Sequence, residues 1–186
     1  YIPESHLSSL RKKWKQPDLH GTTSIPAEHS ITAFQAKQTI AALERRKDQK
    51  FIITTSFHYP HAPMLPPVKY FEMFPVDEMP VPRSIGDKME NSPYKNTNGR
   101  QIYTEYLDAN KVQFMTASYY ALIQELDDWI GKIMAKLDEL NLSDNTLVIF
   151  TSDHGEMLGA HGMREKNFFY EESARIPLIM RLPGKI

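Results

Sequence analysis

A chain of 186 residues has room for one domain with a substantial core, and a composition 41% hydrophobic, 11% aromatic and 24% charged argues for globular sequence over disorder. Its 22 lysines and arginines against 23 aspartates and glutamates leave a formal charge of -1, so the basic field of a nucleic-acid or membrane-surface binder is missing. The lack of cysteine removes disulfides, thiolate metal sites and cysteine nucleophiles from these residues, and no apolar run approaches the ~20 residues of a membrane span.

Residues 1–29 are polar, carry Pro3, Pro17 and Pro26, and read as an irregular segment with one short helix near Ser8 to Trp14. From Ser30, a candidate N-cap, "SITAFQAKQTIAALERRK" sets Ile31, Phe34, Ala36, Ile40, Ala41 and Leu43 at helical spacing. Phe51 to Phe57 is apolar and β-branched, which predicts a strand that stops at Pro60 with His58 and His61 at its end. Residues 62–100 hold Pro63, Pro66, Pro67, Pro75, Pro80, Pro82 and Pro93 with little pattern: a long irregular loop of the kind that is commonly functional. Val112, Met115, Tyr119, Leu122, Ile123, Leu126, Ile130, Ile133, Met134, Leu137 and Leu140 then repeat at threes and fours, which predicts a long helix. A second buried strand is expected over Thr146 to Thr151 and a third over Pro177 to Leu182. The chain begins without Met and ends on "RLPGKI", a strand followed by a turn, so a longer parent is expected.

This order of elements is α/β, and uniformly apolar strands point to a layered sheet covered on both faces. Ligands of such sheets bind beyond the carboxyl ends of the strands, where His58, His61, Asp153 and His154 fall. In "TSDHGEMLGAHGMREK" the Asp153–His154 pair can turn both side chains toward one divalent cation only where the chain stops alternating, and Gly155 permits that bend. The plainer alternative makes Asp153 a cap and His154 a hydrogen-bonded core residue.

Context reverses that balance. "NTLVIFTSDHGEMLGAHGMREK", with "SFHYPHAP" upstream, "YYALIQELDDWIGKIMAKLDELNLSDNT" along the long helix and "YEESARIPLIMRLPG" downstream, closely resembles the sulfatase branch of the alkaline phosphatase superfamily over about residues 30–184. The resemblance implies a three-layer α/β/α sandwich with a mostly parallel central sheet, of which residues 1–186 would form the central part. It implies calcium held in part by Asp153 and His154, and Lys166 and His61 contacting the sulfate and the leaving oxygen, with His58 lining the pocket. Such roles make chemical sense: a cation and an ammonium offset charge on sulfuryl oxygens, and a histidine can supply a proton as the bond breaks. The implied reaction is hydrolysis of a sulfate ester by a formylglycine nucleophile, in a periplasmic, secreted or lysosomal compartment.

The departures are specific. No "CxPxR" or "SxPxR" block exists here to supply a formylglycine, no paired aspartates precede residue 127, and no "GKWHLG"-like block is present. Either these residues are the central piece of a full sulfatase or the protein is naturally degenerate; the first is preferred, and the 186 residues alone are expected to be inactive. With two carboxylates short, calcium should bind weakly or not at all. Among other residues, His161 reads as a turn or rim residue, Glu156 as a backbone acceptor, Arg175 as an ion-pair partner of Glu171 or Glu172, and Asp127 and Asp128 as pointing to different helix faces. The long loop at 62–100 suggests an extended pocket for a sulfated carbohydrate. The rivals are a phosphonate monoester or phosphodiester hydrolase of the same superfamily, and a non-catalytic domain binding an anionic glycan. Expected partners are a sulfated small molecule or glycan and the remainder of the sulfatase chain, with neither nucleic acid nor membrane.

Overall fold

The computed structural model describes residues 20–94 and 108–186; the short helix expected near Ser8 to Trp14 lies outside them. Helix α1 spans Ile31–Arg46 and starts where Ser30 Oγ accepts from the Ala33 amide at 3.0 Å, the capping bond its sequence promised. Its buried positions Thr32, Ala36, Thr39 and Leu43 recur at fours and threes, and Ala33 lies beside them. The small side chains let α1 approach the next long helix closely, and Trp129 packs against Ala33 and Ala36 with Phe57 and Ile133 at its edges.

Residues 51–58 run extended along α1, tied to it by the Thr39 and Thr55 hydroxyls at 2.8 Å. A one-turn helix, α2 (Val68–Phe71), follows Pro67 and buries Tyr70 against Ala27 and Ala121. The Tyr70 hydroxyl donates to Asp128 Oδ2 at 2.8 Å. Helix α3 covers Ala109–Glu139, capped by Asp108, whose carboxylate accepts from the Asn110 amide. It ends in a Schellman motif: Leu142 donates to the Leu137 carbonyl, Asn141 donates to that of Asp138, and Asn141 takes the left-handed conformation at φ 56°. No helix among the described residues is long and apolar enough to cross a membrane.

Strand β1 (Val148–Thr151) pairs antiparallel with β2 (Leu178–Arg181), which a second one-turn helix, α4 (Glu171–Ala174), precedes. The α/β order holds, and among the described residues the sheet has two strands, paired antiparallel. Phe51 to Phe57 joins no ladder among the described residues, and Ile52 is 98% exposed. Nor are β1 and β2 buried: Ile149, Phe150, Leu178, Ile179 and Met180 all stand exposed. Composition reports the extended state and the burial a strand suits, whereas the ladder is a property of a partner.

Among the buried side chains of α3 whose polar atoms lack partners, Thr116, Glu125 and Trp129, one is ionisable. Glu125 is 0% exposed, and neither carboxylate oxygen has a hydrogen-bond partner among the described residues. Burial pushes its carboxyl up, resisted in part by the Ser30 hydroxyl and the Lys69 ammonium. A carboxyl raised in the fold favours folding fully below its unfolded value near 4.5 and loses that contribution as pH rises through the folded value. Glu125→Gln is therefore expected to stabilise the protein at pH 7, by about 1–3 kcal/mol, with the gain shrinking to nothing as the pH falls to that value. Thermal melts of both proteins across pH 4–8 check this; a difference independent of pH would mean that Glu125 does not change charge on folding.

Candidate functional site

The β1–β2 ladder ends at Thr151, whose Oγ1 donates to the carbonyl of Pro177, which has no amide of its own, at 2.9 Å. Three residues on, the amides of Gly155 and Glu156 donate to the Ser173 and Glu172 carbonyls of α4, each at 2.8 Å. At Gly155 a Cβ would lie 2.0 Å from the Glu172 carbonyl oxygen, so no side chain fits without moving that backbone. Asp153 and His154 occupy the unpaired bend, where side chains need not alternate. The bend is held from within: Ser152 Oγ donates to the His154 carbonyl at 2.8 Å, and the His154 amide donates to Asp153 Oδ1 at 3.0 Å.

His154 Nε2 stands 3.7 Å from Asp153 Oδ2, while its Nδ1 faces the Gly155 carbonyl at 2.8 Å. A carbonyl only accepts, so Nδ1 carries a proton and the neutral ring keeps its lone pair on Nε2, beside the carboxylate. Desolvation pushes the Asp153 carboxyl up, but its own amide, the His154 imidazole and amide, and the Ser152 hydroxyl outweigh it and hold the group below its usual value. Asp153 thus stays ionised with an oxygen open to solvent.

His61 repeats the arrangement. Its Nδ1 donates to the Ala62 carbonyl at 2.7 Å, which leaves Nε2 to accept from Lys166 Nζ at 2.5 Å. The contact joins residues 105 apart in sequence. The His61 ring centroid lies 6.4 Å from that of His154 and 5.2 Å from that of His58. The structure therefore brings all five sequence-predicted residues, His58, His61, Asp153, His154 and Lys166, to one surface.

Lys166 rides on the loop between the Gly155 and Ser173 pairings. Met157 donates to Glu165 and Gly159 to Met163, and the Glu156 carboxylate accepts from the Glu165 amide, so that carboxylate is spent on backbone as its position suggested. His161, at φ 55°, bonds Asp87 Oδ2 through Nδ1 at 2.7 Å and stacks on Tyr170 with centroids 4.1 Å apart. Tyr170 in turn shares a 2.7 Å hydrogen bond with Ser92. Asp87, Ser92 and Tyr94 thus fasten the loop from outside, and sequence reasoning missed them because nothing in "GDKMENSPY" repeats or caps. Arg175 is corrected: among the described residues it forms no ion pair with Glu171 or Glu172 and offers its amide to the Glu171 carbonyl instead. It caps a single helical turn, after which the backbone leaves in an extended conformation.

Comparison with known proteins gives a consistent picture. The sulfatase family matches residues 6–186. The chain is 32% identical over 175 residues to the multifunctional alkaline phosphatase superfamily protein PehA of Trinickia caryophylli, covering 87% of this chain and 34% of that protein. It is 34% identical over 158 residues to an arylsulfatase of Clostridium perfringens, covering 83% of this chain and 32% of the relative. Among solved structures, a phosphonate monoester hydrolase of Silicibacter pomeroyi superposes with a TM-score of 0.78 at 29% identity, over 90% of this chain and 36% of that one. The chain spans about a third of the length of the curated relatives it matches.

A divalent cation suits the donors here only in part. Asp153 offers an ionised carboxylate and His154 an unprotonated ring nitrogen, yet among the described residues no group of three or more His, Asp or Glu converges. A hard cation such as calcium takes six or more oxygens. Titration calorimetry on the 186-residue chain is accordingly expected to give calcium binding no tighter than roughly 10⁻⁴ M. Submicromolar binding that Asp153→Ala abolishes would overturn this.

Proposed function

The chain belongs to the sulfatase family, and we propose that the protein containing it hydrolyses sulfate esters at the surface shared by His61, His154 and Lys166. The observation that carries the proposal is the Lys166 Nζ to His61 Nε2 contact, made between distant loops beside the Asp153–His154 bend. Two nitrogens held this close, one a donor and one an acceptor, suit a tetrahedral anion: an oxygen entering between them accepts from Lys166. In its imidazolium form His61 would then give its Nε2 proton to the leaving oxygen and return to the neutral ring. The Ala62 carbonyl keeps the other ring nitrogen protonated, so the reactive nitrogen is fixed by the fold.

Asp153 and His154 would hold part of a divalent cation site, calcium by family resemblance, and the ion would offset charge on the sulfuryl oxygens. No residue of these 186 fits a formylglycine, since the chain has no cysteine and no "SxPxR" string. Supporting a carbohydrate sulfate as substrate is the irregular stretch at 62–94, which meets the Lys166 loop through Asp87 and Ser92 and walls one side of the surface.

A second reading is favoured by the likeness to a phosphonate monoester hydrolase and to PehA. A phosphonate monoester and a sulfate monoester each present one negative charge on a tetrahedral centre, which the same nitrogens would accept. In the full-length protein, kcat/KM is expected to be higher for p-nitrophenyl sulfate than for p-nitrophenyl phenylphosphonate, and the reverse order would favour the second reading. His61→Ala and Lys166→Ala should each lower kcat/KM for the preferred ester by about 10²–10³. Near wild-type rates in both would remove these residues from the chemistry.

A further inference from the structure

Three aromatic residues follow Lys166 closely, and they take different paths. Phe168 meets Tyr94 edge-on at 5.2 Å, and Tyr170 stacks on His161. Phe169, between them, is 93% exposed. Its backbone is nevertheless fixed, because its amide donates to the Tyr94 hydroxyl at 3.2 Å and both neighbours are packed. The ring is thus held outward from an anchored chain, and it rims an open cleft whose other wall is residues 86–94. Polar groups line that wall, among them Glu90, Asn91 and Ser92. Phe169 is three residues from Lys166, so their Cα atoms lie at most about 11 Å apart.

We propose that this cleft receives a neutral sugar ring joined to the sulfated position, with Phe169 as its apolar platform. A sugar ring has a face of C–H groups and a rim of hydroxyls, and an exposed aromatic ring beside convergent polar groups matches both. The cleft carries Asp87 and Glu90 against Lys88, a balance that disfavours a second sulfate and favours an uncharged ring. The link to the sulfated group rests on the sulfatase reading; the sugar contact itself does not.

The test uses the full-length protein, first without turnover. Saturation-transfer NMR with three unsulfated probes, methyl β-D-glucoside, methyl β-D-galactoside and methyl N-acetyl-β-D-glucosaminide, should show contact with at least one. Phe169→Ala should abolish that contact and Phe169→Trp should retain it. In turnover, KM for the sulfated form of the same glycoside, divided by KM for p-nitrophenyl sulfate, should rise roughly tenfold in Phe169→Ala. No contact from any probe at millimolar concentration, or a contact that Phe169→Ala leaves intact, overturns the inference. A Phe169-dependent contact in a protein that hydrolyses no sulfate ester upholds the cleft and sinks the sulfatase reading instead.

Discussion

The close approach of Gly155 to the Glu172 carbonyl is the constraint on which the rest of the candidate site depends. It closes the base of the loop that carries Lys166 and fixes the chain just after Asp153 and His154, which lie beyond the end of the ladder. A side chain at 155 would force these two strands of chain apart, and with them the two halves of the surface. Within the loop a second closure, through Met157 and Glu165, narrows what Lys166 can do. Outside it, the His161–Asp87 and Tyr170–Ser92 bonds hold the loop against residues 84–94. A lysine side chain is entropically costly to fix; here the backbone beneath it is fixed first.

The helices serve the opposite shore. His58 and His61 follow an extended segment that α1 holds through the Thr39–Thr55 hydroxyl contact and the packing of Phe57 on Ala33, Ala36 and Trp129. That packing needs small residues on α1 and an indole on α3. Tyr59 joins the cluster of Met64, Val112, Met115 and Leu122 on the same long helix. The two halves of the site meet at the Lys166–His61 contact and share one support, since Leu158 of the Lys166 loop packs on the same cluster as Tyr59.

What the sequence made legible was whatever is encoded locally. The Ser30 cap, both long helices and the positions of β1 and β2 follow from capping chemistry and periodicity, which neighbours in sequence determine. The five candidate residues were singled out because four blocks in order form a pattern no single block carries. Partnership was not legible. Phe51 to Phe57 has the composition of a strand, but a ladder needs a second chain segment that no local signal names, and among the described residues it has none. The apolar content of β1 and β2 was read as burial, yet among the described residues their side chains stand open. Asp87 escaped notice for a related reason, since its role comes from His161, 74 residues away.

Lys166, His58, His61 and His154 share their surface with one ionised carboxylate, that of Asp153. The nearest further carboxylate in sequence, Glu156, accepts from the Glu165 amide, and burial pushes its carboxyl up against the pull of that amide and Arg164. It cannot turn outward without breaking the closure of the Lys166 loop. The fold therefore commits one acid, Glu156, to structure and leaves the other, Asp153, at the surface.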